Sequence, residues 1–89
     1  MKRYLLNKQV RLKYDKVSDK YYAFCIDSGD HFTLNKTGFT ILDSLKEGLS
    51  LKEIISSLSE NMSLDHKTAK SDIIHFLELS EENGIIALI

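Results

Sequence analysis

Between positions 10 and 15 apolar and polar side chains alternate, with Val10, Leu12 and Tyr14 set against Arg11, Lys13 and Asp15. A period of two is what a strand shows when one face is buried and the other is wet. The polar stretch 15–19 then turns the chain. Tyr21, Tyr22, Ala23, Phe24, Cys25 and Ile26 follow, aromatic-rich as a pleated surface prefers. Asp27, Ser28, Gly29 and Asp30 give a tight-turn signal, because glycine takes positive φ without steric cost. His31, Phe32, Thr33 and Leu34 predict a short third strand with Phe32 and Leu34 on one face. Connections this short imply an antiparallel meander, since parallel pairing needs a long crossover.

The period changes at Asn35, a good helix N-cap. Phe39, Ile41, Leu42 and Leu45 have helical spacing, and Gly48 stands where a left-handed helix stop belongs. Ser50 and Glu53 have capping-box form, and Leu51, Ile54, Ile55 and Leu58 then follow the i, i+3, i+4, i+7 rule. This second helix frays out near Asn61. A third helix is predicted over 65–83 with Gly84 as its stop. Ala69, Ile73, Phe76 and Ser80 share one side of it; Leu77 and Ile74 extend the stripe one way and Leu79 the other. That apolar arc spans roughly 220° at 100° per residue, wider than a helix lying on one surface needs. Part of it is therefore expected to face something besides its own core. Residues 85–89, all apolar, close the chain as a short strand or a docked tail.

The order predicts an α+β domain over 1–89, a three-stranded antiparallel sheet followed by three helices. Eighty-nine residues suffice for one domain and one modest core. The stretch Tyr4, Leu5, Leu6 is too short for a signal-peptide core, and no run approaches a membrane span. A soluble cytoplasmic protein with no membrane association is the expectation. Cys25 is alone, excluding an internal disulfide, and reads as a buried, inert thiol.

Charge is unevenly spread. Residues 1–20 hold seven Lys or Arg against Asp15 and Asp19, whereas the remainder is acidic by six. Such polarity can steer a charged partner, or simply solvate two ends of one domain.

No catalytic constellation stands out, so the chain reads as non-enzymatic, with no catalytic residues, metal or cofactor. His66 and His75 are nine apart, on opposite sides of a helix, and cannot share a metal. Gly29, Gly38, Gly48 and Gly84 each sit near a turn or cap and form no phosphate loop. Glu81 and Glu82 precede a helix stop, where they solvate the surface. Nucleic acid is not expected as a partner, because the third helix offers Lys67 and Lys70 but more carboxylates.

Several residues together carry a resemblance. Phe32, Thr33, Leu34, Asn35, Lys36, Thr37 and Gly38, then Ile41 and Leu42, Glu47 and Gly48, Glu53 and Ile54, Phe76 and Leu77, and finally Asn83, Gly84, Ile85 and Ile86, resemble the PqqD family. These are the pyrroloquinoline quinone biosynthesis proteins D and related recognition elements of ribosomal peptide modification. The resemblance covers roughly residues 8–88 and rests on the order of pieces more than on any single motif. It implies a winged-helix-like unit that binds the leader segment of a precursor peptide and presents it to a maturation enzyme such as a radical SAM protein. The leader adds beside the third strand and lies against the third helix. Many members are fused to their enzyme, and this chain reads as a stand-alone version.

The residues agree with that implication. Arg11 and Lys13 blunt the first strand against stray pairing, whereas His31 and Thr33 leave the third strand permissive. An extended peptide adding there gains main-chain hydrogen bonds. The expected peptide-binding set is His31, Phe32, Thr33 and Leu34 with Lys70, Ile74, Leu77 and Glu81. The last four lie within roughly 60° of one another on the third helix. Core filling is the alternative for Leu77 and, less so, for Ile74. A winged-helix DNA-binding regulator is the alternative function, and self-pairing through the open edge a third; a monomer or weak dimer is expected.

Overall fold

Local signals set most of the element boundaries. A computed structural model describes residues 4–61, 63 and 65–88; positions 1–3 and Ile89, the basic start and the last apolar residue, lie outside the described residues. The chain runs β1 (Tyr4–Leu6), β2 (Val10–Asp15), β3 (Lys20–Cys25), β4 (His31–Leu34), α1 (Lys36–Lys46), α2 (Leu51–Asn61), α3 (His66–Glu82) and β5 (Ile86–Leu88). The predicted meander is present as an antiparallel sheet ordered β2-β3-β4, followed by the three helices. Sequence periodicity did not assign β1. It pairs with β5 in a separate antiparallel ribbon, Tyr4 opposite Leu88 and Leu6 opposite Ile86.

Asn7 ties this ribbon to the sheet. Its backbone N–H donates to the Ile85 carbonyl at 3.0 Å, and its side-chain amide donates to the Gly84 carbonyl at 3.0 Å. Its side-chain oxygen also accepts from the Gln9 amide at 2.9 Å, turning the chain into β2. One residue thus joins two segments 77 positions apart.

The caps form as predicted. Asn35 Oδ1 accepts from the Gly38 amide at 2.7 Å. Ser50 and Glu53 exchange both capping-box bonds, the Ser50 amide to Glu53 Oε1 at 3.0 Å and the Glu53 amide to Ser50 Oγ at 3.2 Å. The Ser50 backbone and hydroxyl bonds hold the Glu53 carboxyl below its ordinary range. Gly48, at φ 89°, ends α1 in a conformation that a side chain would strain.

The core lies between the sheet and the helices. Val10 and Ala23 are buried on the inner sheet face; Ile41, Leu42 and Leu45 of α1, Ile54, Ile55 and Leu58 of α2, and Ile73 and Leu77 of α3 meet them. Tyr4, Ile85 and Ile86 close the core from the ribbon side. The inner face continues as an aromatic chain at its exposed end. Tyr14 stacks on Tyr21 at 4.6 Å, and Tyr21 tilts against Phe39 of α1 at 5.0 Å. Tyr14 also donates to Asp19 at 2.8 Å, and that carboxylate pushes the phenol up.

Three expectations are corrected here. Leu77 does not line an open groove: it is 0% exposed and belongs to the core. The buried stripe of α3 is Ala69, Ile73, Leu77 and Ser80, with Phe76 only half-buried on its flank. The expected stripe joined Phe76 to Ala69, Ile73 and Ser80, but the helix is rotated so that Leu77 takes the place of Phe76 in the tight interface. Ser80 is accommodated because its hydroxyl donates to the Phe76 carbonyl at 2.9 Å. Cys25 is likewise not buried in the core; at the end of β3 it is half-exposed, and a hydrogen bond with Ser28 holds its thiol below the ordinary value.

Leu77 and Leu79 therefore make a controlled pair. Leu77→Ala is expected to cost about 2–5 kcal/mol in urea unfolding, as a fully buried leucine does. Leu79, 45% exposed, should tolerate alanine within about 0.5 kcal/mol. Equal losses at the two positions would contradict the orientation of α3.

Candidate functional site

The register of β3 determines where a further strand can add. The Ile26 amide donates to the Gln9 carbonyl at 2.8 Å, and the Cys25 amide donates to the Asp30 carbonyl at 2.9 Å. Because hydrogen-bonded and non-bonded pairs alternate in an antiparallel ladder, even-numbered residues of β3 bond to β2 and odd-numbered ones to β4. Ala23 opposite Phe32 and Tyr21 opposite Leu34 are then the bonded pairs of β3 and β4. Tyr22 opposite Thr33 and Phe24 opposite His31 are the non-bonded pairs. The backbone N–H and C=O groups of His31 and Thr33 consequently point away from the sheet, at the edge of the order β2-β3-β4.

The two edges of the sheet are finished differently. On β2, Arg11 Nη1 donates to the Lys8 carbonyl at 2.7 Å and to the Val10 carbonyl at 3.3 Å, so the guanidinium lies over that edge. β4 carries no Lys, Arg, Asp or Glu, and the ring of His31 meets Phe24 edge-on at 5.8 Å. Phe32 and Leu34 turn inward and pack against the core. The open edge is therefore anchored by two apolar side chains, while its outward polar groups stay available.

A cleft of about 280 Å³ begins one residue beyond β4. Asn35, Thr37 and Gly38 at the start of α1 form one wall, and Asp72, Ile73 and Phe76 of α3 form the other. The walls touch at its base: a Cβ added to Gly38 would come within 2.9 Å of Phe76 Cε1. Glycine is thus what allows the two helices to approach this closely.

The predicted site residues separate in the structure. His31, Phe32, Thr33 and Leu34 are together on β4. Lys70 and Ile74 lie on an open shelf lined wholly by α3, with Lys67, Ser71, His75 and Glu78. Ile74 is half-buried and Glu81 exposed, while Leu77 is in the core. At 100° per residue, Phe76 and Ile74 stand roughly 160° apart, on opposite flanks of the buried stripe. The flank that adjoins the end of β4 is the one carrying Asp72 and Phe76. Sequence reasoning missed Asn35, Thr37 and Asp72 because each has a sufficient local role as a cap or a solvated helical residue. Gly38, inside a helix where glycine is costly, was the available signal.

The exposed side of α3 carries Lys67 and Lys70 against Asp72, Glu78, Glu81 and Glu82. A DNA-recognition helix needs the opposite balance to meet phosphates. No helix is long and apolar enough to cross a membrane, and no group of three or more His, Cys, Asp or Glu could hold a metal, among the described residues.

An open, apolar-anchored edge strand with an adjoining interhelical cleft is an arrangement to which an extended chain can add as a further strand. The family follows from comparison with known proteins. Residues 18–86 match the model for Coenzyme PQQ synthesis protein D, and the chain belongs to the PqqD family. Solved structures of the same fold include TbiB1 in complex with the TbiA(beta) leader peptide, at 22% identity and a TM-score of 0.82, covering 92% of this chain and 93% of that one. Lasso peptide synthetase B1 complexed with its leader peptide is similar at 20% identity and TM-score 0.82, covering 94% and 96%. The PqqD truncation of Methylobacterium extorquens PqqCD, a stand-alone recognition element for ribosomally synthesized and post-translationally modified peptides, is similar at 19% identity and TM-score 0.79, covering 96% and 88%. No curated protein sequence matches the chain.

Hydrogen exchange checks the edge directly. The amides of Phe32 and Leu34 should be protected in the free protein, and those of His31 and Thr33 should exchange fast. The reverse pattern would mean that β4 presents its other side.

Proposed function

We propose that this chain is a non-catalytic recognition domain that captures the leader segment of a ribosomally made precursor peptide and presents it to a maturation enzyme. The outward N–H and C=O groups of His31 and Thr33 on an otherwise uncharged edge carry this reading. An extended leader adding antiparallel or parallel to β4 satisfies these groups, and each main-chain bond made there contributes about 0.5–1.5 kcal/mol net. Membership of the PqqD family supports it, as do two structural neighbours whose solved forms hold leader peptides.

The leader runs off β4 into the cleft between α1 and α3. Its side chains there meet Thr37, Asp72 and the half-buried Phe76 ring. This assignment exchanges the flank of α3 expected from the helical wheel, with Lys70, Ile74 and Glu81, for the flank that adjoins the strand. Main-chain addition gives affinity and the cleft gives selectivity. In this reading the chemistry belongs to the partner enzyme.

Three variants test the arrangement by calorimetric titration of the cognate leader peptide. Thr33→Pro removes an outward donor but no bond of the β3–β4 ladder, so it should fold by circular dichroism and lose binding at least tenfold. Asp72→Trp, which fills the cleft from an exposed position, should also weaken binding at least tenfold. Ile74→Asp should leave affinity within about twofold. Unchanged binding in a folded Thr33→Pro protein would exclude strand addition at β4. Loss confined to Ile74→Asp would move the leader to the other flank of α3.

A further inference from the structure

A further cleft lies away from β4. It measures about 500 Å³ and opens between the β1–β2 turn and the end of α1. Leu5, Leu6, Leu12 and Leu45 make its floor, and Leu5 remains 41% exposed. Lys8, Arg11 and Lys46 stand around this floor, and no carboxylate lines the cleft among the described residues. An apolar floor whose charged neighbours are all cationic, with Asn7 the one neutral polar residue of the lining, is an unusual surface for a domain whose net charge is −1.

Arg11 is held in place for this role. Its Nη1 makes both bonds to the Lys8 and Val10 carbonyls, so Nε and Nη2 remain able to donate. A guanidinium fixed at one nitrogen presents its other donors with little ordering cost, which suits a carboxylate. The same bonds make β2 a poor edge for strand addition, because Arg11 lies across the outward Val10 carbonyl. Side-chain recognition, not strand addition, is what this side of the sheet supports.

We propose that this cleft docks a segment of a partner protein that carries a leucine-like side chain between carboxylates, and that the partner is the modifying enzyme. The apolar side chain enters over Leu5 and Leu45 while the carboxylates meet Arg11, Lys8 and Lys46. Charge complementarity specifies the acidic flanks, and the open apolar floor specifies the anchor. Position explains why the enzyme is the partner. In the order β2-β3-β4 the cleft adjoins one edge of the sheet and the leader strand adds at the other, so both occupants are held at once. That last step rests on the leader reading above; the chemistry of the cleft does not.

Selection from a phage library of random dodecapeptides tests the inference without a known partner. The library is panned in parallel on the native chain, on Thr33→Pro and on Leu5→Glu/Lys46→Glu. A class of peptides with an apolar residue flanked by Asp or Glu should survive on Thr33→Pro and disappear from the double variant. A synthetic member should bind native protein at least tenfold more tightly than the double variant, weaken between low and high salt, and shift the amide resonances of Leu5, Lys8, Arg11 and Leu45. The single variant Lys8→Glu, altered only at an exposed turn, should show the same direction of loss if the double variant folds poorly. Peptides lost on Thr33→Pro but kept on the double variant would belong to β4 and would speak only to the leader site. If no class depends on Leu5, Lys8 and Lys46, if the dependent class is basic, or if a single-stranded oligonucleotide binds this rim in place of acidic peptide, the docking proposal fails.

Discussion

The contact between the Phe76 ring and the bare Cα of Gly38 governs the geometry of the candidate site. An added Cβ would sit 2.9 Å from the ring, closer than packed atoms tolerate. With hydrogen at that position, α3 comes down against the first turn of α1, immediately after β4 ends. The cleft between the helices, the half-burial of Phe76 and the continuity of cleft with strand edge all follow from that approach. The Asn35 cap acts on the same turn, since Oδ1 accepts from the Gly38 amide. A helix start, a helix crossing and the end of an edge strand are thereby concentrated within the five residues from Leu34 to Gly38.

The two sides of the sheet are specialised by what their edges leave unsatisfied. On β4 the outward backbone groups of His31 and Thr33 are open, a surface that rewards an extended chain of loosely specified sequence. On β2 an arginine covers the edge, and the neighbouring apolar floor is ringed by cations, a surface that rewards particular side chains. In the proposed arrangement a flexible peptide and a folded enzyme are held by two different modes of recognition at opposite edges. Competition between the occupants is then avoided by topology. Of the basic residues in 1–20, Lys8 and Arg11 line the cleft beside β2.

The β1–β5 ribbon makes this division possible. It brings residues 4–6 and 86–88 together beside α1 and α3, with Tyr4, Ile85 and Ile86 buried. Asn7 fastens it through backbone and side chain to residues 84 and 85. Without the ribbon the Leu6–Leu45 surface would have no wall toward β1, and the cationic cleft would be a flat face.

Periodicity, caps and turns along the chain determined the meander, the three helices and the permissive nature of β4. These are local properties: alternation in 10–15, the Asn35 and Ser50 caps, and Gly48 at positive φ each act over a few residues. The same locality explains what was missed. Three-residue β1 has too little pattern to declare itself and exists only because β5, some eighty residues later, pairs with it. The helical wheel gave α3 an over-wide apolar arc but could not orient it. Whether Leu77 or Phe76 takes the centre depends on the partner surface, and the approach to Gly38 placed Leu77 in the core and Phe76 at the margin. Tertiary packing therefore chose which flank of α3 adjoins β4, and with it the residues that line the cleft, because side chains distant in sequence meet only after the helices have packed.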